Sequence, residues 1–206
     1  VAYVYSPTRE GAILEETLRG FHGVLVSDFF PVYESIECEQ QRCLVHLIRD
    51  LNDDLFKNQF DLEYKAFVQR FGELLKPIIV TIDRFGLKRR FLSKHKKVVE
   101  KFFRNCVDCE GISELTRKYQ TRFVKNRNRL FTFLDHDGVP WNNNNAENAI
   151  KGFATMRRVI GGTSTEAGLR GSLMLLSVCQ TLRNKGFSSL DFFRSGKTSL
   201  KQYLER

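Results

Sequence analysis

The sequence predicts an α/β fold interrupted by a large helical insertion and closed by C-terminal helices. Three observations predict it. Short Val-rich runs near the start alternate with a helical pattern. A long stretch then follows with helical periodicity only. Two more helical segments come after a turn-rich loop. With 206 residues, the chain is long enough for one domain carrying an insertion.

"VAYVYS" (1–6) and "GVLVSD" (23–28) read as strands, and "AILEETLRGF" between them reads as a helix. Short apolar runs of this kind suit strands buried on both faces. Strand, helix and strand in about 28 residues is a right-handed crossover with parallel strands. "EQQRCL" (39–44) reads as a further short strand. From His46 to about residue 134 the apolar spacing is helical. "DHDGVPW" (135–141) is a turn-rich loop, and helices resume over 144–159 and 165–185, with Gly186 as a stop. The expected organisation is an α/β core over 1–45, a helical insertion over 46–134, and a return to the core over 135–206. A chain that opens inside a strand is expected to have its true N-terminus upstream of Val1.

The formal net charge is +9, which favours polyanionic partners, above all nucleic acid. Residues 84–104 hold nine Lys/Arg against one acid, Glu100. Arg89, Arg90, Lys94, Lys96 and Lys97 are its candidate phosphate contacts. Residues 117–129 hold six Lys/Arg and no acid. Both tracts carry aromatics, which are expected in the core. The longest apolar run, near Leu173–Val178, is too short to span a bilayer. Five cysteines, an odd number, do not look like a secreted disulfide framework, and a reducing cytoplasm is the expected location.

Asp28 follows the Val-rich second strand. Ligands of open α/β sheets bind at the carboxyl ends of the strands, although an acid there also serves as a polar cap. Glu147 lies in "WNNNNAENAIKG" (141–152), where Asn144 or Asn145 would cap a helix whose first turn holds the carboxylate. Two such acids on different elements suit Mg²⁺, which prefers oxygen ligands. Metal pairs of this kind serve phosphodiester chemistry. Arg157 and Arg158 follow on the same helix as candidate phosphate contacts. Gly161-Gly162 would end that helix, and Ser164 or Thr165 would cap the next. Cys43 with His46, and Cys106 with Cys109, also have the spacing of zinc ligands, although the two pairs lie far apart in sequence.

"FHGVLVSDFFPVY", "QQRCLVHLIRDL", "VPWNNNNAENAIKGFATMRRVIGGTSTEAG" and "LLSVCQTLRNKG" together resemble the transposases of the insertion sequence 66 family. The likeness runs over about residues 4–190 and is loose across about 55–130. It implies a ribonuclease H-like mixed sheet with a helical insertion, and a DDE carboxylate triad that cuts and joins DNA ends with Mg²⁺ (or Mn²⁺). Asp28 matches the second acid of that triad and Glu147 the last. Cys43 and His46 match a Cys-x-x-His motif, with His46 an accessory at the active site and Cys43 a supporting residue. Asn143 and Asn144 match the pair that precedes the final acid, while Asn142 stands where the family often has Asp. The first acid of the family lies on a strand upstream of the segment seen here. Asp83, Asp135 and Asp137 do not match it, so an N-terminally truncated fold and an incomplete triad are expected. The resemblance further implies DNA as partner, a homo-oligomer on DNA and helper proteins from the same element. A non-catalytic, DNA-binding remnant is the alternative.

Overall fold

A computed structural model describes residues 1–6, 11–159, 161 and 165–205. The predicted Gly162 turn and Ser164 cap lie outside the described residues. The chain divides into two compact units, one of residues 11–143 and one of residues 1–10 with 144–206.

The 11–143 unit opens with helix α1 (Ala12–Thr17) and strand β1 (Val24–Ser27). A 3-10 turn over Pro31–Ser35 leads to strand β2 (Glu39–Arg42). The two strands pair in parallel, Val24 opposite Glu39 and Ser27 opposite Arg42. Helices α2 (Leu44–Lys57) and α3 (Leu62–Phe85) follow. Short helices α4 (Arg89–Leu92) and α5 (Lys96–Phe102) lead through a π-helical turn to α6 (Glu114–Lys125) and α7 (Arg127–Leu130). No strand lies among the described residues of 46–134, as the helical periodicity predicts.

The sequence explains these elements locally. On α2, Leu44, Leu47 and Leu51 recur at helical spacing and are fully buried. Asp61 caps α3 by accepting the Tyr64 N–H at 2.9 Å. Gly86, at φ +68°, ends that helix in a conformation that side chains other than glycine rarely adopt. Tyr64, Phe67, Phe71 and Ile78 of α3 build the core with Phe102, Tyr119 and Phe123. Phe123 meets Phe67 and Phe71 edge-on, with centroids 5.4 and 5.0 Å away.

β2 is a polar strand that is nonetheless buried. Gln41 Nε2 donates to the carbonyls of Arg42 and Leu130, and its Oε1 accepts from the Phe133 N–H at 3.0 Å. Gln40 Nε2 donates to the carbonyls of Tyr33 and Ile36. The buried Gln41 amide, bonded through both its nitrogen and its oxygen, holds the sheet against the 130–134 segment without needing an apolar face.

The second unit contains helices α8 (Asn144–Val159), α9 (Glu166–Asn184), α10 (Ser189–Arg194) and α11 (Leu200–Leu204). Thr165 caps α9 by accepting the Gly168 N–H, and Gly186 follows its end at φ +77°. Leu182, Phe192 and Tyr203 form a small core. Residues 1–6 do not form the predicted strand. The Tyr3 N–H donates to Ser177 Oγ at 2.9 Å, and the Tyr3 hydroxyl donates to the Ala149 carbonyl at 2.7 Å. The Val/Tyr alternation is satisfied by helices, not by a neighbouring strand. The strands among the described residues are β1 and β2, so the sheet is a parallel pair and not the mixed sheet expected from the sequence. Among those residues no helix is long and apolar enough to cross a membrane.

Candidate functional site

Parallel pairing sends both strands out of the sheet at the same end. Asp28 leaves β1 there and Cys43 leaves β2. The Cys43 N–H donates to the Ser27 carbonyl at 2.7 Å, which extends the ladder by one step. Asp28 is half-buried. Its Oδ1 accepts the Phe30 N–H at 3.0 Å, a local turn that holds the carboxylate over its own backbone. Oδ2 makes no hydrogen bond or ion pair among the described residues. An ionisable oxygen left uncommitted at a sheet edge is a donor suited to a hard divalent cation.

Arg42 lies behind this acid. It is 1% exposed, and its Nη1 donates to Ser27 Oγ at 2.9 Å and to the Asp28 carbonyl at 2.8 Å. Burial, and next the charge of Arg129, lower the Arg42 pKa, while Glu34 and Asp28 act in the opposite direction. Tyr33 has a raised pKa, first from burial and second from the Asp28 charge. Its ring centroid lies 6.0 Å from the guanidinium carbon.

Cys43 is fully buried, and its Sγ accepts the Asn143 N–H at 3.3 Å. The Leu44 N–H, in the first turn of α2 and without an intrahelical partner, donates to the Trp141 carbonyl at 2.9 Å. The 141–143 segment is thereby tied to the start of α2, whose first turn also carries the half-buried His46. The zinc arrangement is not assembled. No cluster of three or more His, Cys, Asp or Glu among the described residues includes Cys106 or Cys109. Cys106 Sγ instead lies 3.9 Å from Arg70 Nη1, and Cys109 Sγ lies 3.7 Å from Gln120 Nε2.

On the second unit, α8 begins at Asn144 and carries Glu147, half-buried, in its first turn. Negative charge is favoured there by the exposed N–H groups of the helix start. Arg157 and Arg158 are exposed in the last turn, where the helix favours cations.

The two basic tracts differ. In the first, the side chains of Arg89, Arg90, Lys94 and Lys97 are exposed and make no ion pair among the described residues, whereas Lys96 pairs with Asp135 at 2.9 Å. Beside them Phe85 and Phe91 stack at 4.3 Å, with Arg84 over one ring and Arg90 over the other. Phe85 is exposed and Phe91 half-buried, against the expectation of core positions. In the second tract, Lys118 pairs with Asp54, Arg122 with Asp50, Lys125 with Glu34 and Arg127 with Asp108. Its charge is largely spent within the fold.

A family model described as "Transposase IS66 family" matches residues 1–171. The chain belongs to the IS66 transposase family. A search of curated proteins and a search of solved structures each returned no match.

The span matched by the family model takes in Asp28, Cys43, His46, Asn143, Asn144, Glu147, Arg157 and Arg158. It also takes in Arg42, which sequence reasoning missed. The signal in the sequence was a charged residue closing a short strand next to Cys43. A polar strand reads as a surface edge, so that signal pointed the wrong way.

Proposed function

We propose that this chain is the catalytic segment of a DDE-type DNA transposase with a ribonuclease H-like organisation. Asp28 and Glu147 are the carboxylates that hold Mg²⁺ or Mn²⁺ in this reading. The observation that carries it is the Asp28 carboxylate, fixed through one oxygen at the carboxyl end of a parallel strand pair, with the other making no hydrogen bond or ion pair among the described residues. The chain's membership in the IS66 transposase family supports it. A bound divalent ion supplies activation of an attacking oxygen and stabilisation of the leaving one in phosphodiester chemistry.

The protein's own groups have distinct tasks. Asp28 and Glu147 supply oxygen ligands. His46 orients a phosphate or a water. Cys43 and Asn143 fix the 141–143 segment, and Asn144 starts the helix that presents Glu147. Arg89, Arg90, Lys94 and Lys97 contact DNA phosphates, with Lys96, Arg157 and Arg158 as further contacts. Asp83, Asp135 and Asp137 are poor candidates for a third acid. Asp135 is held by Lys96, the Arg89 N–H occupies Asp137, and Asp83 lies on α3. The protein acts on transposon ends and target DNA in the cytoplasm, as a homo-oligomer on DNA, with helper proteins from the same element.

The test is DNA binding across a salt series combined with Mg²⁺-dependent nicking by the product of the complete open reading frame. Salt-sensitive binding with nicking that Asp28→Asn abolishes is the expected result. Binding without nicking makes the protein a DNA-binding remnant. Absence of salt-sensitive binding removes both.

A further inference from the structure

Arg42 is buried and charged, and none of the roles above uses it. Among the described residues its Nε has no hydrogen-bond partner and no ion pair includes it. Burying a guanidinium without a paired carboxylate is unfavourable beside a well-packed neutral side chain. Two hydrogen bonds, to Ser27 and Asp28, do not by themselves call for a cation, since an amide also donates. The groups that face it narrow the reason. Arg129 repels it, Glu34 and Asp28 attract it, and the Tyr33 ring lies beside it. Its Nη1 bridges the last residue of β1 and the first residue beyond, Ser27 Oγ and the Asp28 carbonyl.

We propose that Arg42 is a positioning residue that fixes the Asp28 main chain to the sheet and thereby sets where the Asp28 carboxylate can hold a divalent cation. The proposal rests on the reading of Asp28 as a metal ligand. The peptide of Asp28 is the first outside the strand ladder. Without the Arg42 bond, the turn to Phe30 and the longer bond from Ser27 Oγ restrain it. With the bond, the carbonyl is pinned from one side and the carboxylate from the other, so the remaining oxygen has a defined place. Ser27 is the second anchor, because its hydroxyl accepts from the same Nη1 and also donates to the Asp28 carbonyl at 3.1 Å.

The experiment is a Mn²⁺ titration of the full chain, read from the free-ion signal by electron paramagnetic resonance, with a melting curve for each variant. Asp28→Asn is expected to lose the site. Arg42→Gln is expected to raise the Mn²⁺ Kd by about 10–100-fold, the range typical of removing an outer partner of a metal ligand. Arg42→Lys is expected to recover part of that loss, and Ser27→Ala to show a smaller rise. Removing a nearby positive charge would on electrostatic grounds tighten cation binding, so weaker binding in Arg42→Gln reports positioning and not charge. If Arg42→Gln is unfolded at the assay temperature, Arg42→Lys and Ser27→Ala carry the test. A folded Arg42→Gln that binds Mn²⁺ as tightly as the parent or more tightly, while Asp28→Asn does not bind, overturns the role of Arg42 alone. So does an unchanged Kd in both Arg42→Lys and Ser27→Ala where Arg42→Gln does not fold. Parental binding by Asp28→Asn overturns the ligand reading of Asp28, and the role of Arg42 with it.

Discussion

The Asn143 N–H donates to Cys43 Sγ across 3.3 Å, joining residues 100 positions apart. With the Leu44 N–H on the Trp141 carbonyl, this hydrogen bond links the asparagine-rich segment to the start of α2. Cys43→Ala removes the acceptor and leaves a small void in a fully buried place. The expected loss is about 1–3 kcal/mol of stability, measured by urea unfolding. A Cys43→Ala protein as stable as the parent would show that the hydrogen bond contributes nothing.

The proposed DNA-contacting residues yield a contrast within one molecule. Replacing Arg89, Arg90, Lys94 and Lys97 together by Gln should weaken DNA binding. It should also flatten the dependence of log K on log salt by roughly 0.9 for each phosphate the protein no longer neutralises. Replacing Lys118, Arg122, Lys125 and Arg127 by Gln should leave that slope nearly unchanged, because their charges are paired within the fold. Equal changes in the two sets would refute the distinction.

His95 provides a pH dependence. It is buried, its Nε2 lies 2.9 Å from Thr81 Oγ1, and burial followed by the Lys94 charge lowers its pKa. With the folded pKa below the unfolded one, the unfolded chain takes up the proton first as pH falls. The stability from neutral His95 is therefore present above about pH 6.5 and is lost as pH drops through the folded value. The denaturation midpoint of the parent should fall between pH 7 and 5 more steeply than that of His95→Gln. Parallel curves would contradict the assignment.

Asp61 does two things at once. It caps α3 through Tyr64 and accepts a hydrogen bond from the Ser113 hydroxyl at the start of α6. Asp61→Ala should cost about 1–2 kcal/mol, the upper range for losing a cap. Asp61→Asn, which keeps an acceptor for the Tyr64 N–H, should cost less. Chemical denaturation of the pair of variants measures the difference.

What the sequence made legible was local. A Val-rich run closed by Asp28, and asparagines set before Glu147, are short-range signals that survive in the folded chain. Misreadings came from partners far along the chain. Residues 1–6 alternate like a strand, yet Tyr3 bonds to Ser177 and Ala149. The second basic tract looks free in a window of sequence because Asp50, Asp54, Glu34 and Asp108 lie outside that window. Arg42 looks like an exposed edge residue until the buried amides of Gln40 and Gln41 place its strand in the interior.

The proposed function rests on Asp28 and Glu147 as the metal-holding acids of DNA cleavage. The measurement closest to it is the rate of Mg²⁺-dependent strand cleavage by the complete open reading frame product, on DNA bearing the element's ends. Glu147→Gln should lower that rate by more than the roughly 10–100-fold expected for an outer-shell partner, with DNA binding across the salt series unchanged. Cleavage by Glu147→Gln at the parental rate would contradict it.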